Sequence, residues 1–164
     1  MRLAVYPGSF DPVTNGHIDI LERSSQLFDR IIIAVIHNVS KKSLFSLDER
    51  VNLIRESTQH LGNIEVDCFS GLLVNYLARK NARIIIRGLR SVADFEYECQ
   101  MSMMNKRLMP DVDTVFVMSN NDFTYVSSSM VKEVALLGGD VTSLVPEPVQ
   151  LAFSKKIAEL SRGK

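Results

Sequence analysis

Strand–helix alternation along 164 residues predicts an α/β protein: a Rossmann-like, doubly wound, five-stranded parallel sheet with helices on both faces. Three observations carry this expectation. The strand segments are short, continuous apolar runs rich in β-branched residues, as in strands covered on both faces. Segments with helical spacing separate them, so successive strands are joined by crossovers, right-handed by chirality. The length is close to the roughly 150 residues of one domain. No repeat, low-complexity tract or linker-like shift divides the chain, and residues 1–164 therefore read as one domain.

The elements follow in order. Leu3 to Tyr6 is a short buried strand, and Pro7 to Gly16 is a turn-rich loop. Ile18, Leu21, Ser25 and Phe28 recur at helical spacing over about 14–28. Ile31 to Ile36 is a fully apolar strand. Ser46 and Glu49 form a capping box that opens a helix with Val51, Ile54 and Leu61 on one side. Ile64 to Phe69 is the third strand, and Leu72 to Lys80 the third helix. Ile84 to Ile86 is the fourth strand, ending at Arg87-Gly88. Ser91 and Asp94 start a long helix to about Leu108, which Pro110 stops. Val112 to Met118 is the fifth strand. A helix over about 128–137 ends at Gly138-Gly139, and the last helix, over about 147–160, packs on the same domain.

Composition excludes several function classes. Nineteen Lys and Arg balance nineteen Asp and Glu, which gives no electrostatic footprint for nucleic acid. The purest apolar run, Ile31 to Ile36, is a third of a membrane span, and the N-terminal apolar stretch is too short for a signal peptide. Cys68 and Cys99 lack CxxC spacing and sit among apolar neighbours, so neither a disulfide framework nor a zinc site is expected. A reducing cytoplasm is the expected compartment.

In open α/β sheets, ligands bind beyond the carboxyl ends of the strands, where strand order reverses. The loops after the strands therefore hold the candidates. After the first strand, Gly8, Ser9, Thr14, Asn15, Gly16 and His17 crowd the mouth of a helix, a ready anion site; the plainer alternative is a turn with a surface histidine. There is no Walker loop and no GxGxxG fingerprint. Ser40, Lys41, Lys42 and Ser43 follow the second strand, where an ammonium suits a phosphate. Arg87 and Arg90 follow the fourth, suited to bidentate contact with phosphate, with surface pairing to Asp94, Glu96 or Glu98 as the alternative. Ser127, Ser128 and Ser129 follow the fifth, offering either a phosphate cradle or a generous helix cap. No histidine cluster supplies a metal cage, and no serine has an adjacent base. His37 and His60 read as incidental. Such a cationic, hydrogen-bonding inventory without a nucleophile suits phosphoryl or nucleotidyl transfer.

Gly8-Ser-Phe-Asp-Pro-Val-Thr-Asn-Gly-His17 resembles the (H/T)xGH signature of the nucleotidylyltransferase superfamily, and Ser127-Ser-Ser-Met-Val-Lys132 its second signature. The further run Ile86-Arg-Gly-Leu-Arg-Ser-Val-Ala-Asp-Phe-Glu-Tyr-Glu98 resembles the phosphopantetheine adenylyltransferase family, and Asn105 to Pro110, Gly139-Asp-Val and Val145-Pro-Glu extend the match over nearly the whole chain. The resemblance implies transfer of the adenylyl group of ATP to 4′-phosphopantetheine, giving dephospho-coenzyme A and pyrophosphate. It implies that Ser9 touches both substrates, and that Phe10, His17, Gly88, Leu89, Arg90, Glu98 and the run Phe123, Thr124, Tyr125, Val126, Ser127, Ser128, Ser129 bind ATP. Lys41, Leu73 and Arg87 are implied to hold phosphopantetheine, with His17, Lys41 and Arg90 catalytic. Ser9 stands where many members have threonine, which keeps the hydroxyl. Mg²⁺ is expected on the phosphates of ATP rather than on protein ligands.

The helix from Ser91 carries two apolar stripes: Val92, Phe95, Cys99, Met103, and Ala93, Tyr97, Met101, Met104, Leu108. A surface helix needs one. The second implies either a subunit interface, which the resemblance makes that of a homohexamer, or a helix wedged between sheet and C-terminal helix. Two other functions compete: a sister enzyme using nicotinamide mononucleotide or glycerol 3-phosphate, and a non-catalytic nucleotide-binding regulator, whose mark would be loss of His17, Lys41 or Arg90. All three residues are present.

Overall fold

A computed structural model shows five parallel strands in the order β3-β2-β1-β4-β5. The structure describes residues 2–38 and 42–162. In chain order the elements are β1 (Leu3–Gly8), α1 (Asn15–Ser25), β2 (Arg30–Ile36), α2 (Leu47–Ser57), β3 (Ile64–Phe69), α3 (Leu73–Lys80), β4 (Ile84–Leu89), α4 (Val92–Leu108), β5 (Asp113–Met118), a single 3₁₀ turn (Asn121–Phe123), α5 (Ser128–Leu136) and α6 (Glu147–Arg162). The expected fold class is the one observed. Among the described residues, no helix is long and apolar enough to cross a membrane.

Strand alternation divides the core between the two faces of the sheet. Ala4, Tyr6, Ile31, Ile33 and Val35 point to one face, which α1, α2, α5 and α6 cover with Leu21, Ile54, Val131 and Phe153. Val5, Ile32, Ala34 and Ile85 point to the other, where Tyr76 and Leu77 of α3 cover them. The central strands β1 and β2 are covered on both faces, as their continuous apolar runs require. The edge strands are not: β3 and β5 are mostly half-buried. Cys68 on β3 is accordingly exposed, and Cys99 on α4 is half-buried. The apolar surroundings expected for the two thiols are not found, because one lies on an edge strand and the other on an incompletely covered helix.

Three further boundaries differ from expectation. β4 continues through Leu89, with Arg87, Gly88 and Leu89 paired to Phe116, Val117 and Met118 of β5, so these residues end a strand rather than form the loop after it. The buried face of α1 is Gly16, Ile20, Leu21 and Ser24 rather than Ile18, Leu21, Ser25 and Phe28. Helix α2 stops at Ser57, leaving Leu61 beyond it and His60 in a turn, its Nε2 within hydrogen-bond distance of Glu22 Oε1 at 2.9 Å.

Candidate active site

Strand order reverses between β1 and β4, the point at which an open α/β sheet leaves a crevice. A cavity of about 300 Å³ opens there, walled by the ends of β1 and β4, the first turn of α1, the body of α4 and the N-terminus of α5.

The β1–α1 loop is built around Phe10. Its backbone is left-handed (φ 45°), which is uncommon for a bulky residue. Its ring turns back into the core, 3% exposed, meeting Tyr6 and His17 edge-to-face with centroids 5.4 and 5.1 Å away. Gly8 leaves room beneath it: a Cβ there would stand 3.0 Å from the ring, tight enough that the ring would have to shift. Burial pushes the Tyr6 phenol well above its usual range, against the pull of Arg87 and Arg90.

His17 closes the N-terminus of α1. Thr14 is the N-cap, its hydroxyl accepting from the His17 N–H, and the His17 side chain reaches back to the Thr14 backbone. The Thr14 N–H donates to His17 Nδ1 at 3.0 Å, and the Thr14 hydroxyl lies 3.0 Å from the same nitrogen. A backbone N–H can only donate, so Nδ1 is the acceptor and the ring proton is assigned to Nε2. Burial, with Arg90 and Arg87 nearby, pushes the pKa of His17 down to about 4. The ring is therefore neutral at pH 7, and its Nε2–H is the nitrogen available to a ligand.

Both arginines are held from α4. Arg87 Nε and Nη2 donate to the two carboxylate oxygens of Glu98 at 2.7 and 2.5 Å, and Nη1 donates to the Pro7 carbonyl at 2.8 Å. Burial disfavours the Arg87 charge, but Glu98 more than offsets it and holds the pKa above its usual value. Arg90 Nε donates to Asp94 Oδ2 at 3.2 Å and Nη1 to the Val126 carbonyl at 3.2 Å. The carboxylate pairing foreseen as an alternative is present, yet inside the cavity rather than on an outer surface. Glu98, expected at ATP, has both oxygens on Arg87.

At the mouth of α5 the serines divide their tasks. Ser127 caps the helix, accepting from the Met130 N–H at 3.2 Å, and Ser128 donates to the Pro12 carbonyl at 2.7 Å. The Ser129 hydroxyl makes no hydrogen bond among the described residues. Behind this mouth a smaller cavity of about 100 Å³ shares Ser9, Ser128 and Ser129 with the first and adds Arg50 and Lys132. The buried Asp11 carboxylate joins three segments there. It accepts from Lys132 Nζ at 2.6 Å and from the N–H groups of Leu44 and Phe45 at 3.0 and 2.9 Å. These donors hold its pKa below the usual value, although burial acts to raise it.

The larger cavity thus gathers Ser9, Phe10, His17, Arg87, Gly88, Arg90, Glu98, Phe123, Val126 and the three serines. It does not gather Leu89, whose side chain is buried, nor Thr124 and Tyr125, which lie outside it with Tyr125 exposed. Leu73, at the start of α3, faces the opposite core. Lys41 and Ser40 lie outside the described residues. Thr14, foreseen in the polar run before α1, lines the cavity too, and Tyr6, Asp94 and Tyr97 join it without having been singled out as ligand groups. Among the described residues no three His, Cys, Asp or Glu side chains cluster as metal ligands.

A sheet of this order with a cationic, helix-mouthed crevice at its switch point fits a nucleotidyltransferase. Residues 5–134 match the cytidylyltransferase-like family model. The chain is 69% identical to the phosphopantetheine adenylyltransferase of Syntrophomonas wolfei over 96% of its length and 98% of that protein's, and 56% identical to that of Alkaliphilus metalliredigens over 95% and 99%. A crystal structure from Vibrio parahaemolyticus, provisionally described as a nicotinate-nucleotide adenylyltransferase, superposes with a TM-score of 0.69 at 14% identity, covering 96% of this chain and 95% of the other; it shares the fold. The chain belongs to the phosphopantetheine adenylyltransferase family.

Proposed function

We propose that the protein transfers the adenylyl group of ATP to 4′-phosphopantetheine, releasing pyrophosphate and dephospho-coenzyme A, a step of coenzyme A synthesis in the cytoplasm. The supporting observation is the neutral His17 donor beside Arg87, Arg90 and the α5 mouth, in a chain 69% identical to an enzyme of that name. An oxygen of the acceptor phosphate attacks the α-phosphorus in line with the bridge to the β-phosphate, and that bridge breaks. The attacking phosphate is already anionic near neutral pH, so no general base is needed. Charge must instead be met as it builds. The His17 Nε2–H donates to an α-phosphate oxygen, Arg90 and the free N–H groups of α5 hold the leaving pyrophosphate, and Ser9, Lys41 and Arg87 hold the acceptor. Gly88 to Arg90, Glu98 and Phe123 to Ser129 form the ATP side. Mg²⁺ would be held by the phosphates of ATP, where it would offset their charge. Asp94 and Glu98 are already engaged by Arg90 and Arg87, which fits a cation held by the substrate.

On α4, Val92 and Met103 are 88% and 70% exposed, and Tyr97, Met104 and Leu108 more than half. So much exposed apolar surface on one helix suits an interface rather than a wedged helix, and the family resemblance makes that interface a homohexamer's. Sedimentation should give six times the chain mass; a monomer would contradict this.

The reaction is tested by pyrophosphate release from ATP and Mg²⁺ with 4′-phosphopantetheine, nicotinamide mononucleotide or glycerol 3-phosphate offered in parallel. Release with phosphopantetheine alone, and dephospho-coenzyme A by mass, is expected. Release only with another acceptor would discard the acceptor reading, and silence with all three would favour a regulator.

A further inference from the structure

Arg50 sits on the buried side of α2, in step with Leu53, Ile54 and Ser57, and is 4% exposed. An arginine is almost never buried this far without a partner, and the partners here are backbone carbonyls rather than a carboxylate. One nitrogen, Nη1, donates to the Ser9 carbonyl at 2.7 Å and to the Ile36 carbonyl at 3.2 Å. The location of these two carbonyls matters. β1 and β2 run paired from Leu3↔Arg30 to Gly8↔Val35; Ser9 and Ile36 would be the next pair, and there the ladder has ended. A guanidinium bridges the strands at the position where they part. Among the described residues its Nε is buried without a partner, on the wall of the smaller cavity.

We infer that Arg50 is a positioning residue, fixing the spacing between the loop that carries Ser9 and the end of β2 at Ile36, from which the chain leads on towards Lys41. The inference rests on the proposed reaction, in which those two loops receive the acceptor phosphate while the β4 and β5 ends and α5 receive ATP. Ser9 meets both substrates, whereas ATP is also held by the β4 and β5 ends and α5, so a clamp on this side of the crevice acts on the acceptor and on turnover more than on ATP binding. A purely structural role would lower stability and leave the kinetic constants unchanged, or shift both KM values together.

The test uses the full chain with Arg50→Met and Arg50→Lys. The methionine fills similar volume without a donor, whereas the lysine ammonium retains N–H groups for both carbonyls. Arg50→Met, which loses both hydrogen bonds, should raise KM for phosphopantetheine or lower kcat by about tenfold or more, with KM for ATP within about twofold of wild type. Arg50→Lys should restore most of the loss. Arg50→Gln, able to reach one carbonyl, replaces the methionine variant if that does not fold, with the same split expected. Unchanged constants in folded Arg50→Met, equal shifts in both KM values, or no rescue by lysine would each overturn the clamp. Wild-type protein in the same assay separates the two claims: its silence with phosphopantetheine sinks the reaction and not the clamp. Hydrogen exchange on the free proteins then decides. Faster exchange at His37, Leu44 and Phe45 in Arg50→Met but not Arg50→Lys, with β4 unchanged, supports the clamp, and wild-type exchange at those amides overturns it.

Discussion

The backbone nitrogen of Thr14 donates to Nδ1 of His17 at 3.0 Å, so a main-chain group fixes which ring nitrogen carries the proton. In the usual capping box a Glu or Gln at the third helical position makes this return contact. Here histidine takes that place, and one side chain both closes the helix and presents an N–H to the cavity. The same contact occupies the Nδ1 lone pair and leaves Nε2 protonated, which makes His17 a donor rather than a nucleophile.

A contrast between two variants follows. His17→Ala should lower kcat roughly 10²- to 10³-fold, the usual cost of one donor to developing charge, with little change in ATP affinity. Thr14→Ala removes the hydroxyl cap and keeps the backbone N–H that sets the tautomer. It should cost about 1 kcal/mol of stability and less than about tenfold in kcat. Equal kinetic loss in both would mean that the hydroxyl, not the main chain, orients the ring.

The pH dependence carries a definite sign. The folded pKa of His17, about 4, lies below the unfolded value of roughly 6.5. The unfolded chain therefore binds more protons in that window, and stability falls as pH drops through it. The contribution is fully present above about pH 6.5 and gone below about pH 4, a total on the order of 3 kcal/mol. Urea unfolding between pH 7 and 4 should show this slope, and His17→Asn should flatten it. Imidazole NMR shifts should show a neutral ring protonated at Nε2 at pH 6; an imidazolium there would contradict the assignment.

The Arg87–Glu98 pair gives a third expectation. A fully buried pair loses about 3–5 kcal/mol when one partner is removed, but the Arg87 side chain here is 31% exposed and Glu98 12%. Screening reduces the expected cost of Glu98→Ala to about 1–3 kcal/mol. Because Arg87 loses its bidentate anchor, KM for the acceptor should rise as well. Unchanged KM with lower stability would assign the pair to folding alone.

Much of this was legible in the sequence because each signal was local. Ile31 to Ile36 announced a central strand, and the switch-point rule then placed the crevice beside Gly8 and His17. Contacts between distant segments were not legible. Arg87 and Glu98 meet across a strand, a turn and a helix, and whether such charges pair or face a ligand depends on how α4 lies against β4. The buried side of α1 was misjudged because Gly16 and Ser24 face the core without being apolar, so hydropathy passed over them. Arg50 left a faint trace as a charge in step with Leu53 and Ile54, explained only when the parting of β1 and β2 is seen.

The central claim is a single displacement at the α-phosphorus, with His17 as a donor and no covalent intermediate. The stereochemical course of the reaction tests this most directly, using ATP made chiral at the α-phosphorus by sulfur substitution with phosphopantetheine as acceptor. One in-line displacement predicts inversion in the dephospho-coenzyme A product. Retention would require two displacements through an adenylylated side chain and would contradict the account.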